Sequence, residues 1–96
     1  MNTTTIRIAL ADDQALVRAG LRALLQQQGL GIAFEADDGQ ALLDGLQSEQ
    51  VDIVLSDIRM PGMDGIAALE ALRARGDATP VLLLTTFDDA ELLLRA

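Results

Sequence analysis

No cysteine, no histidine and no lysine occur anywhere in the 96 residues. Without cysteine there is no disulfide framework and no thiol chemistry, and a cytosolic home is the default for such a chain. Without histidine and lysine, the usual general base, the Schiff-base amine and the commonest zinc ligand are gone. Positive charge is scarce as well: seven arginines face fifteen acids, for a net charge of -8. That balance argues against this segment holding DNA by its phosphates. No apolar run approaches the roughly 20 residues of a membrane span. The opening MNTTTIRIAL has neither the basic start nor the small-residue cleavage site of a secretion signal. Chemistry is left to carboxylates, hydroxyls, backbone amides and a recruited cation.

Half of the residues are hydrophobic, enough for a real core and too many for a disordered tail. The length suits one domain at most, with no repeat, linker or low-complexity segment. Ile6, Ile8 and Leu10 alternate in IRIALA, a strand that ends at Asp12-Asp13. From Gln14 the spacing changes to threes and fours: Leu16, Ala19, Ala23 and Val17, Leu21, Leu24, Leu25 form a helix stripe. Gly29-Leu30-Gly31 stops that helix with the glycine a left-handed C-cap prefers. Ile32 to Ala36 is a short second strand, and Asp37-Asp38-Gly39 turns the chain into a helix with Leu42, Leu43 and Leu46 inward. Val51 to Ser56 is the third strand, MPGMDG a loop, and Ile66, Ala68, Leu69 and Leu72 the stripe of a third helix. Gly76 to Pro80 leads to a fourth strand, VLLLT, and Asp88-Asp89 open a fourth helix. Alternating strands and helices predict an α/β fold with a parallel sheet covered on both faces. The apolar run at 81 to 84 fits burial on both sides.

The third strand runs straight into an acid. Val51, Ile53, Val54 and Leu55 lead through Ser56 to Asp57, and then the chain turns. In open parallel sheets, ligands bind beyond the carboxyl ends of the strands, where strand order reverses. If the first and third strands are neighbours, Asp12, Asp13 and Asp57 converge on one patch. Like charges about 4 Å apart repel by roughly 4 kcal/mol at an effective dielectric near 20. A hard divalent cation with oxygen ligands relieves this, and magnesium suits it because it takes few carboxylates and shares positions with phosphate. The competing reading makes Asp12 or Asp13 an N-cap of the first helix and Asp57 a turn former. A carboxylate is also a nucleophile toward phosphorus, and transfer to it needs mainly positioning and charge neutralisation. Amides after Asp57, starting with Ile58 and Arg59, would face the phosphoryl oxygens, and Thr85-Thr86 could meet them from the fourth strand. Met60 and Met63 fill the loop and have no ligand role.

ADDQALVRAGLRALL, DIVLSDIRMPGMDG and VLLLTTFDDAE, in this order and spacing, resemble the receiver domain of bacterial two-component response regulators, over nearly the whole chain to Ala96. The wording around Asp12 and around Thr85-Thr86-Phe87 is most similar to the NarL/FixJ type, whose receivers precede a LuxR-like helix-turn-helix DNA-binding domain. The resemblance implies a flavodoxin-like doubly wound parallel sheet of order 2-1-3-4, its fifth strand and fifth helix missing. It implies Asp57 as phospho-acceptor, with Mg2+ on Asp13 directly, on Asp12 largely through water, on Asp57 and on the Arg59 backbone carbonyl. Thr85 would be the switch hydroxyl, and Thr86 would lend its backbone amide to the phosphoryl group. The partner would be a sensor histidine kinase, the location cytoplasmic with no membrane contact, and DNA would be reached only through a C-terminal domain outside this chain.

One departure is large, since the family's lysine at the end of a fifth strand has no counterpart here. Residues 1–96 are therefore expected to be a receiver domain incomplete at its C-terminus. The expected consequence is self-association as a homodimer or swapped oligomer, because VLLLT would be an open apolar sheet edge. Two other functions fit parts of the pattern. A pseudo-receiver would bind partners without phosphate. A magnesium-dependent phosphatase of the haloacid dehalogenase type would want an acid two residues after Asp57, where Arg59 stands.

Overall fold

The structure is a computed structural model and describes residues 5–84. Four strands alternate with three helices: β1 (Arg7–Ala11), α1 (Ala15–Gln27), β2 (Gly31–Ala36), α2 (Gly39–Ser48), β3 (Ile53–Asp57), α3 (Gly65–Ala74) and β4 (Val81–Leu84). All pairings are parallel and the sheet order is β2-β1-β3-β4, as the resemblance implies. Strand order reverses at β1, which lies between β2 and β3, and this opens a crevice beyond the strands' carboxyl ends.

Period-two alternation sorts the strand side chains into two cores. Ala9, Ala11 and Val54 face α2 and α3, where they join Ala36, Leu42, Met60 and Ala68. Ile8, Leu10 and Leu55 face the other way and meet Leu21 and Leu25 of α1. The first face is built from small residues, so two helices approach the sheet closely. The second is thinner, because α1 has no fully buried residue.

Helix ends follow their local chemistry. Gly29 takes φ 83°, and Gly29 N–H and Leu30 N–H donate to the carbonyls of Gln26 and Leu25, the double bond of a glycine-stopped helix. Gly76 ends α3 in the same way, with φ 82°. Asp38 and Asp64 cap α2 and α3, each accepting from a backbone N–H three residues on at 2.8 Å.

Four expectations need correction. Leu16 is 86% exposed, and Val17, Ala23 and Leu24 are exposed too, so only Leu21 and Leu25 of the α1 stripe pack on the sheet. β3 begins at Ile53 rather than Val51, since the Asp52 carboxylate takes the Arg7 N–H at 2.8 Å, at the point where a ladder would start. Asp57 is the last residue of that strand rather than the first beyond it. β4 is an edge strand among the described residues, and its Leu82 is 54% exposed, so burial on both sides does not hold there. Thr85, Thr86 and the helix expected after Asp88-Asp89 lie outside the described residues. No helix among the described residues is long and apolar enough to cross a membrane.

Two helix glycines give opposite expectations. A Cβ on Gly45 would run into the Phe34 ring, whereas one on Gly20 meets nothing within 4 Å. Gly20→Ala is expected to raise the unfolding free energy by about 0.5–1 kcal/mol, and Gly45→Ala to lower it by about 1–2 kcal/mol through overpacking. Urea melts of both variants test the packing, and a stabilised Gly45→Ala would contradict it.

Candidate functional site

The site forms where β1 and β3 end side by side. Ala11 pairs with Ser56 in the parallel ladder, so the next residues, Asp12 and Asp57, leave the sheet together. Asp12, Asp13 and Asp57 each offer a carboxylate oxygen, and these atoms lie within 4.8 Å of one another. At that spacing two carboxylates repel by about 3 kcal/mol at an effective dielectric near 20. The three differ in exposure: Asp12 is 4% exposed, Asp57 half-buried and Asp13 exposed.

Asp12 is held at three points. Its N–H donates to the Ala36 carbonyl at 3.0 Å. One carboxylate oxygen accepts the Gln14 N–H at 2.9 Å, and its carbonyl accepts from Arg18 Nη1 at 2.6 Å. It is therefore not the N-cap of α1: that position is Gln14, which makes no side-chain cap bond, and neither Asp12 nor Asp13 takes its place. Arg18 also donates from Nε to Glu35 at 2.9 Å, and Arg22 donates to the other oxygen of Glu35 at 2.6 Å. The arginine thus ties the turn after β1 to β2 through a charge-assisted pair.

Asp57 is anchored through its backbone. The Ser56 hydroxyl donates to the Asp57 carbonyl at 2.8 Å, and Asp57 stands opposite Leu84 in the β3–β4 register. Ile58 N–H donates to the Leu84 carbonyl at 3.3 Å. The expectation that this amide faces an incoming phosphoryl group is therefore wrong: it continues the ladder instead. Beyond Ile58 the loop folds back, with Gly65 N–H on the Ile58 carbonyl at 2.8 Å and Gly39 N–H on the Met63 carbonyl at 3.0 Å. Arg59, Met60, Pro61 and Asp64 line an open cleft together with Asp13.

The donor set fits a hard cation. Oxygen alone is offered, from carboxylates at the ends of adjacent strands with an open side toward solvent, which matches the few-carboxylate, water-keeping preference of magnesium. The Arg59 residue stands in the loop beside the acids, and Thr85 and Thr86 follow Leu84 outside the described residues. A larger cleft opens at the opposite end of the strands, where the charged groups already have partners. Arg7 pairs with Glu49 at 2.8 Å, its N–H is held by Asp52, and Asp77 accepts from Thr79.

Sequence reasoning passed over Arg18, Gly39 and Gly65. A signal for the glycines was present: Asp38-Gly39-Gln40-Ala41 and Asp64-Gly65-Ile66-Ala67 repeat one pattern at two helix starts. Arg18 has no local signal, because its partners are at positions 12 and 35.

Residues 8–96 match the family model of the response regulator receiver domain. The chain is 39% identical over 94 residues to the transcriptional regulatory protein FixJ of Bradyrhizobium diazoefficiens, covering 98% of this chain and 45% of that one. It is 38% identical to the uncharacterized transcriptional regulatory protein YxjL of Bacillus subtilis, over 95% of this chain and 42% of the relative. The chain thus spans less than half the length of these curated relatives. Among solved structures, a LuxR-family two-component response regulator from an Aurantimonas species superposes with TM-score 0.86 at 31% identity, covering 96% of this chain and 66% of that one. The receiver domain of the putative response regulator NarL from Mycobacterium tuberculosis gives 0.80 at 34%, over 97% and 78%.

The Glu35 pair sets a pH dependence. The hydrogen bond from Arg22 holds the Glu35 carboxyl below its ordinary 4.5; partial burial opposes this, and Arg18 adds to the lowering. A carboxyl with a depressed folded pKa stabilises the fold above its unfolded value, and the contribution is lost as pH falls through the folded one. Glu35→Gln is therefore expected to lower the urea midpoint at neutral pH, with the gap to the parent closing below pH 4.5. A gap unchanged down to the acid limit would show that the ion pairs contribute nothing.

Proposed function

This chain belongs to the response regulator receiver domain family, and from that membership we propose that Asp57 accepts a phosphoryl group from a sensor histidine kinase. The observation that carries the reading is the meeting of Asp57 with Asp12 and Asp13 within 4.8 Å at the tips of neighbouring strands. In the transfer, a carboxylate oxygen of Asp57 attacks phosphorus as the bond from phosphorus to the donor nitrogen breaks. The leaving imidazole keeps that electron pair, and an aspartyl phosphate results. Small phosphodonors such as acetyl phosphate would react in the same sense, with acetate leaving. Water returns the carboxylate by hydrolysis.

Asp13, Asp12, Asp57 and the Arg59 carbonyl are the residues proposed to hold Mg2+. When bound, the cation neutralises the converging carboxylates and lowers the repulsion met by an incoming phosphoryl group. Asp12 is oriented for this by its bonds to Gln14, Ala36 and Arg18. Thr85 supplies the switch hydroxyl and Thr86 a backbone amide, in positions that directly follow the Leu84 partner of Asp57. A phosphoryl group adds about 1.5 to 2 negative charges and new acceptor oxygens, which draw the Thr85 hydroxyl and change the surface a partner reads.

The proposed role is that of a stoichiometric phosphoryl acceptor in the cytoplasm, with residues 1–96 forming a receiver domain. Its output is transcriptional, through a DNA-binding domain outside these residues. Self-association belongs to the same reading, supported by the exposed Leu82 on β4, an edge strand among the described residues, and by Leu16 and Leu24 on α1.

Incubation with acetyl phosphate and Mg2+ is expected to add the mass of one phosphoryl group, and Asp57→Asn to abolish the gain. A gain that survives Asp57→Asn, or none in the parent, favours the phosphate-independent binding module. Turnover of a generic phosphate ester would favour the phosphatase. For association, light scattering is expected to give a mass that rises with concentration, and a monomer throughout would remove that part.

A further inference from the structure

The loop between β3 and α3 carries the Arg59 carbonyl and follows directly on Asp57, so its position matters for any ion held there. Magnesium demands near-ideal octahedral geometry and tolerates small displacements poorly. Yet the loop is seven residues of turn with a left-handed glycine, Gly62 at φ 72°. Something outside the loop has to hold it.

Helix α2, which bears none of the site carboxylates, reaches that loop. Gly39, its first residue, is buried and donates its N–H to the Met63 carbonyl at 3.0 Å. A Cβ at this position would stand 2.5 Å from the Met63 carbonyl oxygen and within 2.9 Å of the Met63 Cβ and Cγ. The obstacle is backbone, so it cannot rotate away. Even a tight 3.0 Å contact would require loop and helix to part by half an ångström, the difference between 2.5 and 3.0 Å. The helix itself has little freedom to yield, since Leu42 and Leu43 are buried and Asp38 caps its first turn. Gly65 completes the hold from the other side: a Cβ there would strike the Asp57 carbonyl, and its N–H binds the Ile58 carbonyl at 2.8 Å.

We infer that Gly39 is a positioning residue for the phosphorylation site, fixing the Met63 carbonyl against the start of α2 so that the loop from Asp57 to Asp64 presents its oxygen ligands in register. The inference rests on the proposed metal reading of the three acids, and two results separate its failure from the failure of that reading.

With no tryptophan or tyrosine in the chain, ion uptake is followed by Mn2+ electron paramagnetic resonance and by Mg2+ calorimetry on the full chain. Gly39→Ala is expected to weaken Mn2+ and Mg2+ binding about tenfold or more, the usual range for groups that orient ligands. Ile32→Val, on the opposite sheet face, is expected to lose stability and keep its affinity, which separates positioning from general weakening. Equal affinity of folded Gly39→Ala and the parent would overturn the inference. In the unmutated chain, saturating Mg2+ is expected to slow hydrogen exchange at the Gly39 amide. An exchange rate indifferent to Mg2+ would overturn it even if Gly39→Ala did not fold. No ion uptake by the unmutated chain is a different result, which removes the metal reading itself.

Discussion

Three carboxylate oxygens within 4.8 Å of one another form a cluster that the chain could relieve by letting side chains swing apart. Local bonds prevent that at the buried member. Asp12 is fixed through its N–H, its carbonyl and one carboxylate oxygen, to β2, to Arg18 and to Gln14. Exposed Asp13 retains the freedom to move and half-buried Asp57 sits between. Only the buried member is thus fixed, at a place open to solvent on one side. A divalent cation of the kind proposed would offset what repulsion the converging acids retain.

The elements around the acids are held by different means. The two faces of the sheet are built differently. Ala9 and Ala11 let α2 and α3 close down on one face, and both helices begin with an Asp-Gly pair whose glycine touches backbone of the β3–α3 loop or of Asp57 itself. The opposite face relies less on buried apolar surface. Helix α1 has no fully buried side chain and is fastened through Leu21, Leu25 and the Arg18–Glu35–Arg22 ion pairs. Partly exposed ion pairs of this kind contribute modestly, and one of their arginines, Arg18, also holds the Asp12 carbonyl.

The sequence was informative wherever a feature is local. Alternation in IRIALA, the glycine after Gln28 and the acids at strand ends each rest on neighbouring residues, and the resemblance supplied the strand order. Long-range features were hidden. Nothing near Gly39 announces Met63, and nothing near Arg18 announces Glu35. The start of β3 was misplaced because Val51 has a strand-like side chain, while the deciding contact is between Asp52 and Arg7, 45 positions apart. The α1 stripe misled for a related reason: spacing marks a helix, but which leucines are covered depends on what packs against it. Ile58 shows the same limit, since its amide is claimed by Leu84 of another strand.

These bonds also determine which side of the site is compliant. The loop after Asp57 is pinned by Gly65 to Ile58 at 2.8 Å and by Gly39 to Met63 at 3.0 Å, both at ordinary hydrogen-bond length and both backed by glycines with no spare room. Toward β4, the ladder bond from Ile58 to Leu84 is longer, at 3.3 Å. On the proposed reading, charge added at Asp57 would meet a loop side held by two short bonds and a β4 side held by one longer bond. Were the proposed ion and phosphoryl group to bind there, the doubly held loop would be the side that keeps its carbonyls in place.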